Sequence, residues 1–176
     1  MPRAVHLFMR RADLDSVPKP IPPPGYTLRT YRPGDEDDWL EIIRLSYGGE
    51  WGPDSFTRCI RDDDAFLPER LFFVTHETRL VGTVGAFQKL IHGDRTGYIH
   101  MMAVLPEFRR RGLGGILLNA CLRYFRTQGW RDAVLDTEEI RLAAIRLYLR
   151  NGFEPMPELP GDEARWAEVL RRIRNH

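Results

Sequence analysis

The sequence predicts an α/β domain with a mostly antiparallel central sheet flanked by helices, and a C-terminal helix in place of the last strand. Three observations carry that expectation. The runs RLFFVTHE, RLVGTVGAFQKL and TGYIHMMAV follow one another across brief polar turns, which suits an antiparallel meander, because parallel neighbours need a long crossover. From Leu113 to Tyr124 apolar residues recur at helical spacing behind a glycine-rich turn. The final stretch, GDEARWAEVLRRIRNH, lacks strand alternation and places acids first and arginines last, as a helix dipole favours.

In chain order, residues 1–25 are mixed and then proline-rich (SVPKPIPPPGY), unsuited to helix or central strand, and are expected as an extended lead-in over the surface. The folded domain is expected over residues 26–176. YTLRTY alternates like a strand, and PGDEDDWLEIIRL sets acids in the first turn of an amphipathic helix. PDSFTRCIRD suggests a second, short helix before the meander. Beyond the meander, Leu113, Ile116, Leu117, Ala120, Cys121 and Tyr124 form one helical stripe that ends at QGW. DAVLDT is a short strand, RLAAIRLYLRN a helix stopped by Gly152, and FEPMP an extended piece. The last helix is expected from about Asp162 to Arg174, with Trp166 and Leu170 packed on the domain and Ala164, Ala167, Val169 and Ile173 on the same stripe.

Composition narrows the function. With 176 residues, 43% apolar and 29% charged, and a formal net charge of +1, the chain has the size of one domain and no global field for nucleic acid or a membrane surface. No apolar run approaches the ~18 residues of a membrane span, and Cys59 and Cys121 stand in no metal or redox spacing. The histidines at 6, 76, 92, 100 and 176 show no ligand pattern, so no metal is expected and a cytoplasmic location is.

The chemistry concentrates at residues 109–115, RRRGLGG, between an apolar strand and a helix start. There the unpaired N–H groups of the helix converge with the positive end of its dipole, and glycines let backbone approach an anion without a Cβ in the way. Arg109, Arg110 and Arg111 add charge at the rim, while Gly112, Leu113, Gly114 and Gly115 offer main chain. Two other phosphate motifs fail. No Lys-Ser or Lys-Thr follows these glycines, and residue 117 is leucine where a dinucleotide fingerprint needs glycine.

At this point the chain resembles the GCN5-related N-acetyltransferases, whose signature Arg/Gln-x-x-Gly-x-Gly/Ala follows a strand ending Val-x-Pro. Here the segment reads VLPEFRRRGLGG, with Val104, Pro106, Arg109, Gly112 and Gly114 in register, and the family's last motif stands as AIRLYLRNGF from Ala144 to Phe153. The resemblance covers roughly residues 26–155 and implies an acyl-CoA N-acyltransferase fold. It also implies acetyl-CoA as co-substrate, its pyrophosphate on the glycine loop, and a direct acetyl transfer to a small-molecule or peptide amine. The alternative is a coenzyme-binding sensor without turnover. In that family the strand HMMAV splays from its neighbour, so Met102 and Val104 would contribute main-chain contacts.

Tyr148 matches the tyrosine that points at the coenzyme sulfur, where a phenol can protonate the leaving thiolate. Asp136, at the end of DAVLDT, is the first candidate for general base, with Glu138, Glu139 and His100 as alternatives. Arg141 stands where the family has asparagine, so a guanidinium would replace that contact with the coenzyme. Trp39, Tyr47, Trp51 and Phe56 could line an acceptor pocket, though aromatics at such spacing usually build core. The family closes its sheet with a seventh strand beside the sixth. A helix there instead would leave the acceptor side open, or free to be closed by a second copy in a homodimer.

Overall fold

The computed structural model of the chain describes residues 6–175, and the first five residues of the expected lead-in and His176 lie outside them. Strand β1 is Leu7–Arg11, β2 Tyr26–Thr30, helix α1 Glu36–Tyr47, β3 Leu71–His76, β4 Arg79–Phe87, β5 Thr96–Val104, helix α2 Leu113–Thr127, β6 Asp132–Thr137, helix α3 Leu142–Arg150, β7 Glu154–Met156 and helix α4 Asp162–Arg174. The seven strands form one sheet in the order β2-β3-β4-β5-β6-β1-β7. Every pairing is antiparallel except β5 with β6.

The meander forms across its brief turns as expected, and β4 is buried almost end to end. α2 lies against β3, β4 and β5, so close that a Cβ on Gly97 would overlap the Phe125 ring and one on Gly82 would come within 3.0 Å of Leu117 Cδ1. The approach of helix to sheet requires glycine at 97 and leaves only a tight fit for a Cβ at 82. α1 packs on β4 and β5 through Trp39, Ile42 and Ile43, all fully buried. Trp39 and Phe56 meet edge to face at 5.3 Å between ring centroids, so both belong to the core rather than to a pocket. The short helix expected near residues 53–62 is a single π-helical turn, Thr57–Arg61.

The N-terminal segment departs from expectation. Residues 7–11 do not run over the surface: β1 pairs antiparallel with β6 on one side and with β7 on the other, and Leu7 and Met9 are fully buried. The domain therefore includes these residues and does not start at Tyr26. The cause is alternation that charge conceals. Arg11 faces the interior, where its guanidinium donates to the carbonyls of Asp13, Ser16 and Asn151, which satisfies its buried N–H groups. The proline-rich residues 18–25 remain extended and largely outside.

The C-terminal helix forms over the expected residues, but it follows the last strand and does not replace it. β7 is a three-residue strand on β1, and the place beside β6 is taken by β1. α4 buries Asp162, Trp166 and Val169, leaves Leu170 and Ile173 half-buried, and exposes Ala164 and Ala167. Arg146 of α3 donates to the Ile173 carbonyl and ties the two helices together. No helix among the described residues is long and apolar enough to cross a membrane.

Candidate active site

β5 and β6 separate where the sheet should be most regular. They pair only at Thr96 with Asp132, Gly97 with Ala133 and Tyr98 with Val134, although β5 runs on to Val104 and β6 to Thr137. A bulge turns the upper half of β5: the register with β4 slips between Thr83 and Gly85, and Met101 takes φ +48. Past the bulge, the Leu105 N–H reaches the Val81 carbonyl at 2.9 Å, so the alternate residues direct their main chain away from β4. The carbonyls show it. Met102 O accepts from the Tyr47 hydroxyl at 3.2 Å, and Val104 O from Ser46 Oγ at 3.1 Å and Arg109 Nε at 3.1 Å. With these acceptors taken by α1 and the loop, the N–H groups of Met102 and Val104 are what the open edge offers a ligand.

A glycine turn stands at the head of this gap. Arg110 has φ +62 and Gly112 φ +80, the second serving as N-cap of α2 with no side chain capping it. Glycine holds the left-handed conformation without the strain a side chain would meet. The first helical bond runs from the Ile116 N–H to the Gly112 carbonyl, so the N–H groups of Leu113, Gly114 and Gly115 have no helical acceptor and point out of the helix start. Leu113 anchors the turn with a buried side chain. A Cβ on Gly114 would sit 3.1 Å from Leu147 Cδ2, so α3 closes one wall of the cradle. All three arginines are exposed. Arg111 folds back over the Phe108 ring at 5.5 Å and donates to the Tyr26 hydroxyl.

Polar groups gather deeper in the cleft. Tyr148 is buried on α3, and burial, with Tyr47 and Asp136 adding to it, pushes its phenol far above the usual range, so it is protonated at neutral pH. Tyr47 is pushed up to about 12, again by burial first, and the Arg141 guanidinium lies 4.1 Å above its ring. Arg141 also pairs with Glu138 at 3.4 Å. Asp136 receives the Tyr98 hydroxyl on Oδ1 and meets His6 Nδ1 with Oδ2. Glu139 is paired with Arg165 of α4. His100 shares a 3.0 Å hydrogen bond between Nε2 and the Cys59 carbonyl and stacks on Phe87, and burial holds its pKa below the ordinary imidazole value.

A splayed parallel pair, a bulged strand and a glycine helix start that follow one another in this order match known proteins over most of the chain. The sequence profile of the acetyltransferase (GNAT) family matches residues 36–153. The chain belongs to the GNAT family. A mycothiol acetyltransferase of Thermomonospora curvata is 31% identical over 156 residues, covering 85% of this chain and 51% of the relative. One of Acidimicrobium ferrooxidans is 35% identical over 164 residues, covering 86% and 51%. Among solved structures, a GCN5-related N-acetyltransferase from Sphaerobacter thermophilus superposes with a TM-score of 0.68 at 28% identity, over 88% of this chain and 50% of that one. The chain spans about half the length of the curated relatives it matches.

Within this GNAT domain, the residues singled out in the sequence fall into two groups. Met102, Val104, Arg109 and residues 110–115 line one continuous rim from β5 to α2. Tyr148, Asp136 and Arg141 lie in the cleft between β5 and β6, where Asp136 and Arg141 both act electrostatically on Tyr148. Arg141 caps α3 and lies on Tyr47. The sequence reading passed over Ser46, Tyr98 and His6. For Ser46 no local signal existed, because its role depends on where the end of α1 meets β5. Tyr98 stands two residues before His100 on the same strand face, an alternation that could have flagged it.

Proposed function

We propose that this GNAT domain transfers the acetyl group of acetyl-CoA to a small-molecule primary amine by direct attack. The observation that carries the reading is the continuity of the open β5 edge with the glycine-capped start of α2, which offers N–H donors to an extended arm and to a diphosphate in turn. The residues present fit that coenzyme. Gly112 has the positive φ that the turn needs, a Cβ on Gly114 would crowd Leu147 of α3, and Arg109 to Arg111 crowd the rim with positive charge.

Bound acetyl-CoA supplies an activated thioester carbonyl. The N–H groups of Met102 and Val104 stand as donors for its oxygen, and the Tyr148 hydroxyl supplies a proton to the departing sulfur. Tyr148 carries the proton that role needs, as a phenol does at neutral pH, and it feels both Asp136 and Arg141 in the cleft. The names of the curated relatives, mycothiol acetyltransferases, favour a small-molecule acceptor over a protein one.

Thiol release from acetyl-CoA across polyamines, amino acids, aminoglycosides and peptide N-termini tests the reading, alongside calorimetric binding of acetyl-CoA. Tyr148→Phe is expected to keep coenzyme affinity and lower kcat roughly 10²-fold or more. Tight coenzyme binding with no thiol release from any acceptor would instead identify a sensor module.

A further inference from the structure

We propose that His6 accepts the proton of the attacking amine, with Asp136 and Tyr98 as the residues that position it. The proposal rests on the acyl-transfer reading above and adds to it a base that only the seating of β1 makes available. β1 lies against β6 with Leu7 opposite Thr137 and Phe8 opposite Asp136, which brings His6 to the mouth of the gap between β5 and β6. There His6 Nδ1 is hydrogen-bonded to Asp136 Oδ2, and the Tyr98 hydroxyl donates to Oδ1 of the same carboxylate.

A carboxylate only accepts, so the proton of that bond belongs to Nδ1, and in the neutral imidazole Nε2 is then the nitrogen with the lone pair that takes a proton. The His6 side chain is 45% exposed, so the ring is within reach of an incoming amine. Both Asp136 oxygens are already engaged by these two contacts. The other candidates are committed as well: Glu138 to Arg141, Glu139 to Arg165, and His100 to the Cys59 carbonyl. The titratable and charged groups facing the triad are Tyr47 from α1, Lys89 and Asp63, His92 and His100 around β5, Glu138 and Arg141 before α3, and Tyr148 from α3.

The proton count closes. An amine entering as R–NH₃⁺ gives one proton to His6 Nε2, which passes it to water. The freed lone pair forms the N–C bond while the C–S bond breaks. The nitrogen sheds its second proton as the amide forms, and this balances the proton that Tyr148 gives to the thiolate and recovers. Amine cation and thioester thus become amide, thiol and one proton in solution.

Two measurements on the full chain test this. Long-range ¹H–¹⁵N spectra of the imidazoles should show His6 in the Nδ1–H form, and Asp136→Asn should abolish that preference. A His6 ring in the Nε2–H form, or one indifferent to Asp136→Asn, overturns the proposal. Thiol release from acetyl-CoA is then followed with spermidine, alanine, kanamycin and an alanyl peptide as probes. His6→Gln is expected to lower kcat roughly 10²-fold at neutral pH, leave KM for acetyl-CoA unchanged, and recover at high pH where the amine deprotonates unaided. Undiminished kcat in folded His6→Gln overturns the proposal and leaves the acyl-transfer reading standing. A wild-type chain that binds acetyl-CoA yet releases thiol neither to these amines nor by hydrolysis overturns both.

Discussion

Asp35 shows how a single buried carboxylate fixes the entry to α1. It occupies the N-cap position, and its oxygens accept two hydrogen bonds from Arg29, at 2.7 and 2.8 Å, and one from the Arg32 N–H at 2.7 Å. Burial alone would raise its pKa, but the Arg29 and Arg32 bonds outweigh it and hold the carboxyl below the ordinary aspartate value. A depressed folded pKa means that the stabilisation is complete above the unfolded value near 3.9 and disappears as pH falls through the folded one. Asp35→Asn is therefore expected to cost about 2 kcal/mol in urea unfolding from pH 5 to 8, with the gap to wild type closing below about pH 4. A gap that stays constant down to pH 2 would show that the charge is not what Asp35 contributes. The same rule of satisfied partners explains Arg11, whose buried guanidinium finds three carbonyls, and Tyr47, whose hydroxyl donates to the Met102 carbonyl.

Among the elements, the proposed coenzyme site puts the greatest demand on the start of α2, whose N–H groups would have to stay free while the helix remains anchored. Leu113 and Leu117 bury the apolar face, and the Gly112 turn leaves the other face bare. Gly114→Asp is expected to weaken acetyl-CoA binding more than tenfold by calorimetry, since it sets a negative charge among donors meant for phosphate. Gly114→Ala, which adds only the Cβ facing Leu147, separates crowding from charge. Equal affinities for the two variants would remove the electrostatic argument. Elements of this kind were legible in the sequence wherever one local signal sufficed. β6 has the bounds of the short apolar run DAVLDT, and α4 those that the dipole order of charges indicates. β1 was not legible, because a strand whose inward positions include arginine looks solvated until carbonyls 13, 16 and 151 are seen around it. Asp136 is a candidate the sequence names, but its contact with His6, 130 residues away in sequence, exists only once β1 is seated.

At the scale of the whole molecule, β1 joins the two ends of the chain into one sheet. β6 would otherwise present a bare edge, and β7, three residues long with Pro155 at its centre, has no strand partner but β1 among the described residues. A short proline-bearing strand at the margin discourages further pairing, so the sheet ends there and β1 stays interior. The two arrangements of the N-terminal segment differ in what a core truncation should do. Met9 is fully buried, opposite Leu135 of β6 and Pro155 of β7. With β1 seated as described, Met9→Ala should lower unfolding stability by about 2–5 kcal/mol, the range for methionine lost from a packed interior. On a surface lead-in the same change would stay within roughly 0.5 kcal/mol. Ala12→Asp, one residue beyond β1 and exposed, is the control and should fall in that narrow range. Because β1 also carries His6 to the cleft, Met9→Ala should impair acetyl transfer before it unfolds the domain, while the α2 cradle, built on the opposite side of the gap, should go on binding acetyl-CoA. Denaturant titration and calorimetry on the same variant measure both effects, and a loss of coenzyme affinity equal to the loss of turnover would show that β1 supports the cradle as well as the base.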